Sequence, residues 1–91
     1  MAFLGLFATE SDLDKILEKL RLLHQQAVDP RRSTMSRAEL KPELKKQLNK
    51  LLDVCESGNF HGSQMVEWPT SGCLTSLRNV TSEVQVLIEM I

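Results

Sequence analysis

An all-α fold is what this chain of 91 residues predicts: a small bundle of two strong amphipathic helices and a weaker third at the C-terminal end. Three observations predict it. Leucines recur at helical spacing through two long stretches, and the turn-forming residues fall between those stretches. Apolar residues make up 42%, with three Phe, one Trp and no Tyr, so the core must be aliphatic. The length fits one domain over 1–91, without internal repeats, near the lower end of what a single core supports. Chains this short often complete their burial by associating, so a homo-oligomer is expected before any motif is read.

Residues 1–10 form an apolar arm that carries Phe3 and Phe7, two of the three phenylalanines. No basic residue precedes it and acidic residues follow at once, which argues against a signal peptide, and eight apolar residues cannot span a bilayer. Ala2 gives no myristoylation signal. The expected location is therefore cytoplasmic and soluble, without stable membrane insertion. There the sequon at Asn79 has no glycosylation meaning. The arm either packs across the helices or docks into a partner's groove.

The first helix is expected over 11–28. At about 100° per residue, Leu13, Ile16, Leu17, Leu20, Leu23, His24 and Ala27 collect on one side, opposite Lys15, Glu18, Lys19 and Gln26. Thr9 and Ser11 both suit the N-cap, and Asp29-Pro30 ends the helix. The second helix, 36–57, opens with Ser36 and Glu39 placed as a capping box, and Leu44, Leu48, Leu51, Leu52 and Cys55 form its apolar arc. Pro42 then falls inside it, where the ring would meet the Ala38 carbonyl, so the spacing favours a restart at Pro42 over a kink.

Gly58 supplies the stop, and 58–72 reads as a loop holding three of the four glycines, with an extended piece at Gln64 to Trp68. Over 73–91 two readings compete. As a helix, Leu77, Val80, Val84, Leu87 and Ile91 make a seam at heptad spacing; as a strand, Val84, Val86, Ile88 and Met90 alternate with Glu83, Gln85, Leu87 and Glu89. The helix is favoured because the seam reaches back to Leu77 and a lone strand lacks a partner. It leaves Val86 and Met90 opposite the seam, where a second surface is needed to cover them.

Charge is segregated along the chain. Arg31, Arg32, Arg37, Lys41, Lys45, Lys46 and Lys50, seven of the eleven basic residues, fall in 31–50 against only Glu39 and Glu43. That stretch is net +5, while 1–30 is −2, 51–91 is −4 and the whole chain is −1. On the second helix Lys45, Lys46, Asn49 and Lys50 point away from the apolar arc, with Lys41 at the margin and Arg31, Arg32 and Arg37 extending the surface. In a dimer such a face could follow duplex phosphates independently of sequence. Against that stand the chain's net negative charge, the lack of interleaved aromatics, and Glu43 and Asp53 placed to pair with Lys46 and Lys50. Arg31 to Thr34 also matches a short basophilic-kinase pattern of the kind that recurs by chance.

No chemistry-bearing constellation emerges. His24, Cys55, His61 and Cys73 are zinc-ligand types but no pair has the close spacing that preorganises a site, and both cysteines are expected reduced. Cys73, His61 and Asp53 form only the sort of trio any chain this size offers, and no phosphate loop or nucleophile elbow is present. The expectation is a non-enzyme with no metal and no cofactor. Its leading function is a protein–protein interaction module, binding itself or a larger partner through Val84, Val86, Leu87, Ile88, Met90 and Ile91, with Phe3 and Phe7 from the arm. The competing expectation is duplex nucleic-acid binding by the basic face.

Overall fold

The computed structural model describes residues 8–29, 31, 33–68 and 73–91. It is a small helical bundle with a two-stranded sheet: α1 (Glu10–Val28), α2 (Arg37–Ser57), β1 (Met65–Trp68), β2 (Cys73–Ser76) and α3 (Leu77–Met90). Phe3, Phe7 and Arg32 lie outside the described residues.

Thr9 caps α1. Its hydroxyl accepts from the Asp12 N–H at 3.3 Å while its own N–H donates to Asp12 Oδ2 at 2.8 Å, so two of the helix-entry donors are satisfied reciprocally. The Thr9 N–H, together with the Thr9 hydroxyl that donates to Oδ2 at 3.1 Å, holds the Asp12 carboxyl below its ordinary pKa. The buried face is Leu13, Leu17, Leu20, Leu23, His24 and Ala27, the periodic set read from the sequence except Ile16, which is half-buried at its edge. After α1 the chain turns through a polar connection that Gln26 braces, its Oε1 accepting from the Thr34 N–H at 3.3 Å.

The two long helices are antiparallel, because the end of α2 returns to the start of α1. Ala8 N–H donates to Ser57 Oγ at 3.3 Å. Gly58 is needed there for space: a Cβ would lie 2.8 Å from the Ala8 carbonyl oxygen and press into the Phe60 ring. Its own φ is an ordinary −89°, and the left-handed turn falls one residue later, at Asn59 (φ 55°). Asparagine tolerates that conformation better than most residues.

Pro42 does not restart the helix, as its position suggests; α2 runs through it from Arg37. Two features offset the lost donor. Ser36 Oγ accepts from the Glu39 N–H at 3.3 Å, and Leu40, just before the proline, is buried in the core. A cap is worth about 1 kcal/mol and a buried leucine about 2, against roughly 3 for an interior proline. The first turn is thus anchored before the proline can break it.

The segment after α2 departs most from expectation. Part of the predicted loop is β1, close to the extended piece expected there, and Cys73–Ser76, expected as helix, is its antiparallel partner β2. Met65 pairs with Ser76 and Trp68 with Cys73. Ser76 ends the strand by capping α3, its hydroxyl accepting from the Asn79 N–H at 3.2 Å. Two further donors at the start of α3 are met by the preceding loop: Leu77 N–H donates to the Gln64 carbonyl and Arg78 N–H to that of Gly62, both at 2.9 Å. Residues 77–90 are helical, and the strand reading of 80–91 does not hold.

Alternation along β1 turns Val66 and Trp68 toward the helices and leaves Met65 and Glu67 outside. Trp68 is almost wholly buried and meets His24 edge to face, ring centroids 5.4 Å apart and planes at 66°. The core therefore joins the leucines of α1 and α2 to Trp68 and to Leu77, Val80, Val84 and Ile88 of α3. Burial holds the His24 imidazole below its ordinary pKa of 6.5, an effect that nearby Glu83 partly opposes.

Two predictions follow from these contacts. Pro42 is exposed, so Pro42→Ala restores a donor to Ala38 without loss of packing. It should raise the unfolding free energy by about 1–3 kcal/mol in a denaturant titration, and a fall would show that the proline stabilises through the unfolded chain. His24 gives a pH dependence. The unfolded chain takes up a proton near pH 6.5 that the folded chain accepts only at lower pH, so stability falls as pH drops through 6.5. Thermal unfolding between pH 7.5 and about 5 should show this slope. His24→Gln should flatten it.

Candidate functional site

Three surfaces stand out, each built by a different accident of helical phase. The first is the outward face of α3. Its inward arc is Leu77, Val80, Val84 and Ile88, spaced 3-4-4, which brings Ile88 into the core and leaves Leu87 and Ile91 half-buried at its edge. Val84 and Ile88 therefore belong to the core and are not available as docking residues. The correction is one of phase: apolar content alone did not tell which of two overlapping arcs faces inward. Val86 and Met90 stand on the outside, 54% and 73% exposed, one helical turn apart.

The second surface is the basic back of α2. Lys45, Lys46, Asn49 and Lys50 are all exposed, Lys41 is half-buried, and Arg31 and Arg37 are exposed beyond them. Glu43 is engaged with its own helix, accepting from Gln47 Nε2 at 3.1 Å. Leu52, 47% exposed, sits on the flank that Lys41 and Lys45 share.

The third was not read from the sequence. A cleft of about 370 Å³ opens between α1 and the β-hairpin. From α1 it takes Glu10, Leu13, Asp14, Leu17 and Arg21, the flank of the buried stripe, and from the hairpin chiefly Met65, Val66, Glu67 and Leu74. Leu13 and Leu17 are buried and form its floor, while Met65 and Leu74 are 54% and 55% exposed on one wall. Glu10 and Asp14 lie at one end of the helical wall and Arg21 at the other, its Nε donating to the Leu17 carbonyl at 3.4 Å. Only the mixture of charges beside Leu13 and Leu17 hinted at it. The opposing wall comes from residues some fifty positions away, which periodicity does not see.

Chemistry of other kinds finds little support among the described residues. Cys55 is a free thiol packed half-buried against the core, and burial pushes its pKa up, away from a reactive thiolate. No group of three or more His, Cys, Asp or Glu side chains there is arranged to hold a metal ion. No helix there is long and apolar enough to cross a membrane. Comparison of the chain with protein-family models, with curated proteins and with solved structures finds no match.

Proposed function

We propose that this chain is a non-catalytic protein–protein interaction module that self-associates through the outward face of α3. The observation that carries the proposal is the pair Val86 and Met90. They are exposed on a helix whose opposite face is already committed to the core, and they run into the half-buried Leu87 and Ile91 at its margin. A lone exposed hydrophobe is ordinary on any surface; two stacked one turn apart and continuous with core residues form a patch. Because the same face is present on every copy, two copies can meet across a twofold axis, each covering the other's pair. The near-neutral chain, net −1, offers little repulsion to oppose that approach.

A second reading rests on the exposed row Lys45, Lys46, Asn49 and Lys50: duplex nucleic acid bound through phosphates by a dimer. Its signature is a gel shift with duplex DNA or RNA that weakens steeply with salt. A chain that gives none at low salt is not a nucleic-acid binder.

The α3 reading predicts a concentration-dependent mass in sedimentation equilibrium that persists at high salt, since the contact is apolar. Replacing both residues, Val86→Lys with Met90→Lys, should weaken the dimer by well over about 100-fold, because each of the two copies loses two side chains worth up to about 1.5 kcal/mol each. A wild-type chain that stays monomeric at every accessible concentration would sink it.

A further inference from the structure

The cleft and the lysine flank of α2 have matching form. In the cleft, the α1 wall runs from Glu10 and Asp14 to Arg21, so its charge changes from acidic to basic along an apolar floor. On α2, the flank runs from Lys41 and Lys45 through Leu52 to Glu56, basic to acidic along an exposed apolar residue. Glu10 to Arg21 and Lys41 to Leu52 each span eleven positions, about 16 Å at 1.5 Å per residue. Laid parallel with Lys41 at Glu10 and Lys45 at Asp14, the common spacing brings Leu52 level with Arg21 and sets Glu56 one turn beyond it, about 6 Å further along the axis. Laid the other way with Glu56 at Glu10, Leu52 would face Asp14 and Lys45 would meet Arg21. Only one direction is complementary, and charge complementarity of this kind fixes register more than it adds affinity.

We propose that the α2 flank of one copy docks into the α1–hairpin cleft of a second copy. The two surfaces differ, so the contact is heterologous, and it joins copies beyond the α3-mediated pair. It involves none of Val86, Leu87, Met90 or Ile91 and so stands apart from the α3 reading. It also assigns the segregated charge of the sequence a partner. Lys41 and Lys45, two of the seven basic residues of the +5 stretch, are met by Glu10 and Asp14 of another copy. Exposed ion pairs are screened once salt shortens the Debye length to a few ångströms, so this contact loosens where the apolar α3 contact does not.

Light scattering or sedimentation velocity on the full chain tests it, at about 20 mM and about 500 mM salt. The expected result is species larger than a dimer at low salt that fall back to the dimer at high salt. Lys45→Glu should weaken the low-salt association about tenfold or more, and adding Asp14→Lys should restore it, since glutamate then faces lysine in every copy. Both positions are exposed and far-UV circular dichroism should be unchanged. Val86→Lys with Met90→Lys should remove the high-salt dimer and leave the salt-sensitive association in place, which separates failure of the α3 reading from failure of this one. The proposal is overturned if Lys45→Glu leaves the mass unchanged at low salt, if the charge swap does not restore it, or if Lys45→Glu alters only retention on duplex DNA.

Discussion

The structure depends on one seam, the leucine-rich contact between α1 and α2, the most extensive interface between elements in the fold. Leu13, Leu17 and Leu20 on one helix and Leu40, Leu44, Leu48 and Leu51 on the other are buried in a single cluster. Two antiparallel helices cannot enclose such a seam; each buries one stripe and the pair leaves a trough open on one side. The rest of the chain is placed to close it. Trp68 contributes the largest side chain in the core from a short strand, and α3 lays Leu77, Val80, Val84 and Ile88 along it. Even the irregular segment between α2 and β1 serves the same end, since the carbonyls of Gly62 and Gln64 receive the first N–H groups of α3 and set where that helix begins.

How much of this was legible follows from where the information lies. The stripes of α1 and α2 are local and periodic, so most of their faces, their caps at Thr9 and Ser36 and the stop at Gly58 could be read from neighbours three or four residues away, although Leu52, placed on the α2 arc, is 47% exposed and Gln47 and Val54 are buried instead. Pro42 misled because a local rule was weighed alone, whereas the burial of Leu40 is a tertiary contribution that the rule omits. Cys73–Ser76 was drawn into the helix because its strand partner lies in what read as loop, and pairing between Met65 and Ser76 leaves no trace in either stretch. For α3 the helix and most of its rotation were legible, with Val84 in the seam and Val86 and Met90 outside it. The end of the seam was not: Ile88 is buried where Leu87 and Ile91 were expected, and only the position of the trough decides between them.

The sites share this asymmetry. A charged or apolar helix face is visible in sequence because one element makes it, as with Lys45, Lys46, Asn49 and Lys50. A cleft needs two elements, and Met65 and Leu74 acquire meaning only once the hairpin stands beside α1. Charge segregation behaves likewise. As a sum it points outward, to some polyanion; once folded, the α1 flank carries Glu10, Asp14 and Arg21 and the α2 flank Lys41, Lys45 and Glu56, and the proposed contact between copies follows from the order of those signs.

The contact between His24 and Trp68 has a practical meaning as well. Trp68 is the chain's single tryptophan, so all of its indole emission arises from the point where the hairpin closes on α1, against a ring that can gain a proton. Opening of the hairpin, solvent entry at that junction and protonation of the imidazole each change the surroundings of one chromophore. The molecule thus carries its own optical gauge, without a label, placed where the hairpin meets α1.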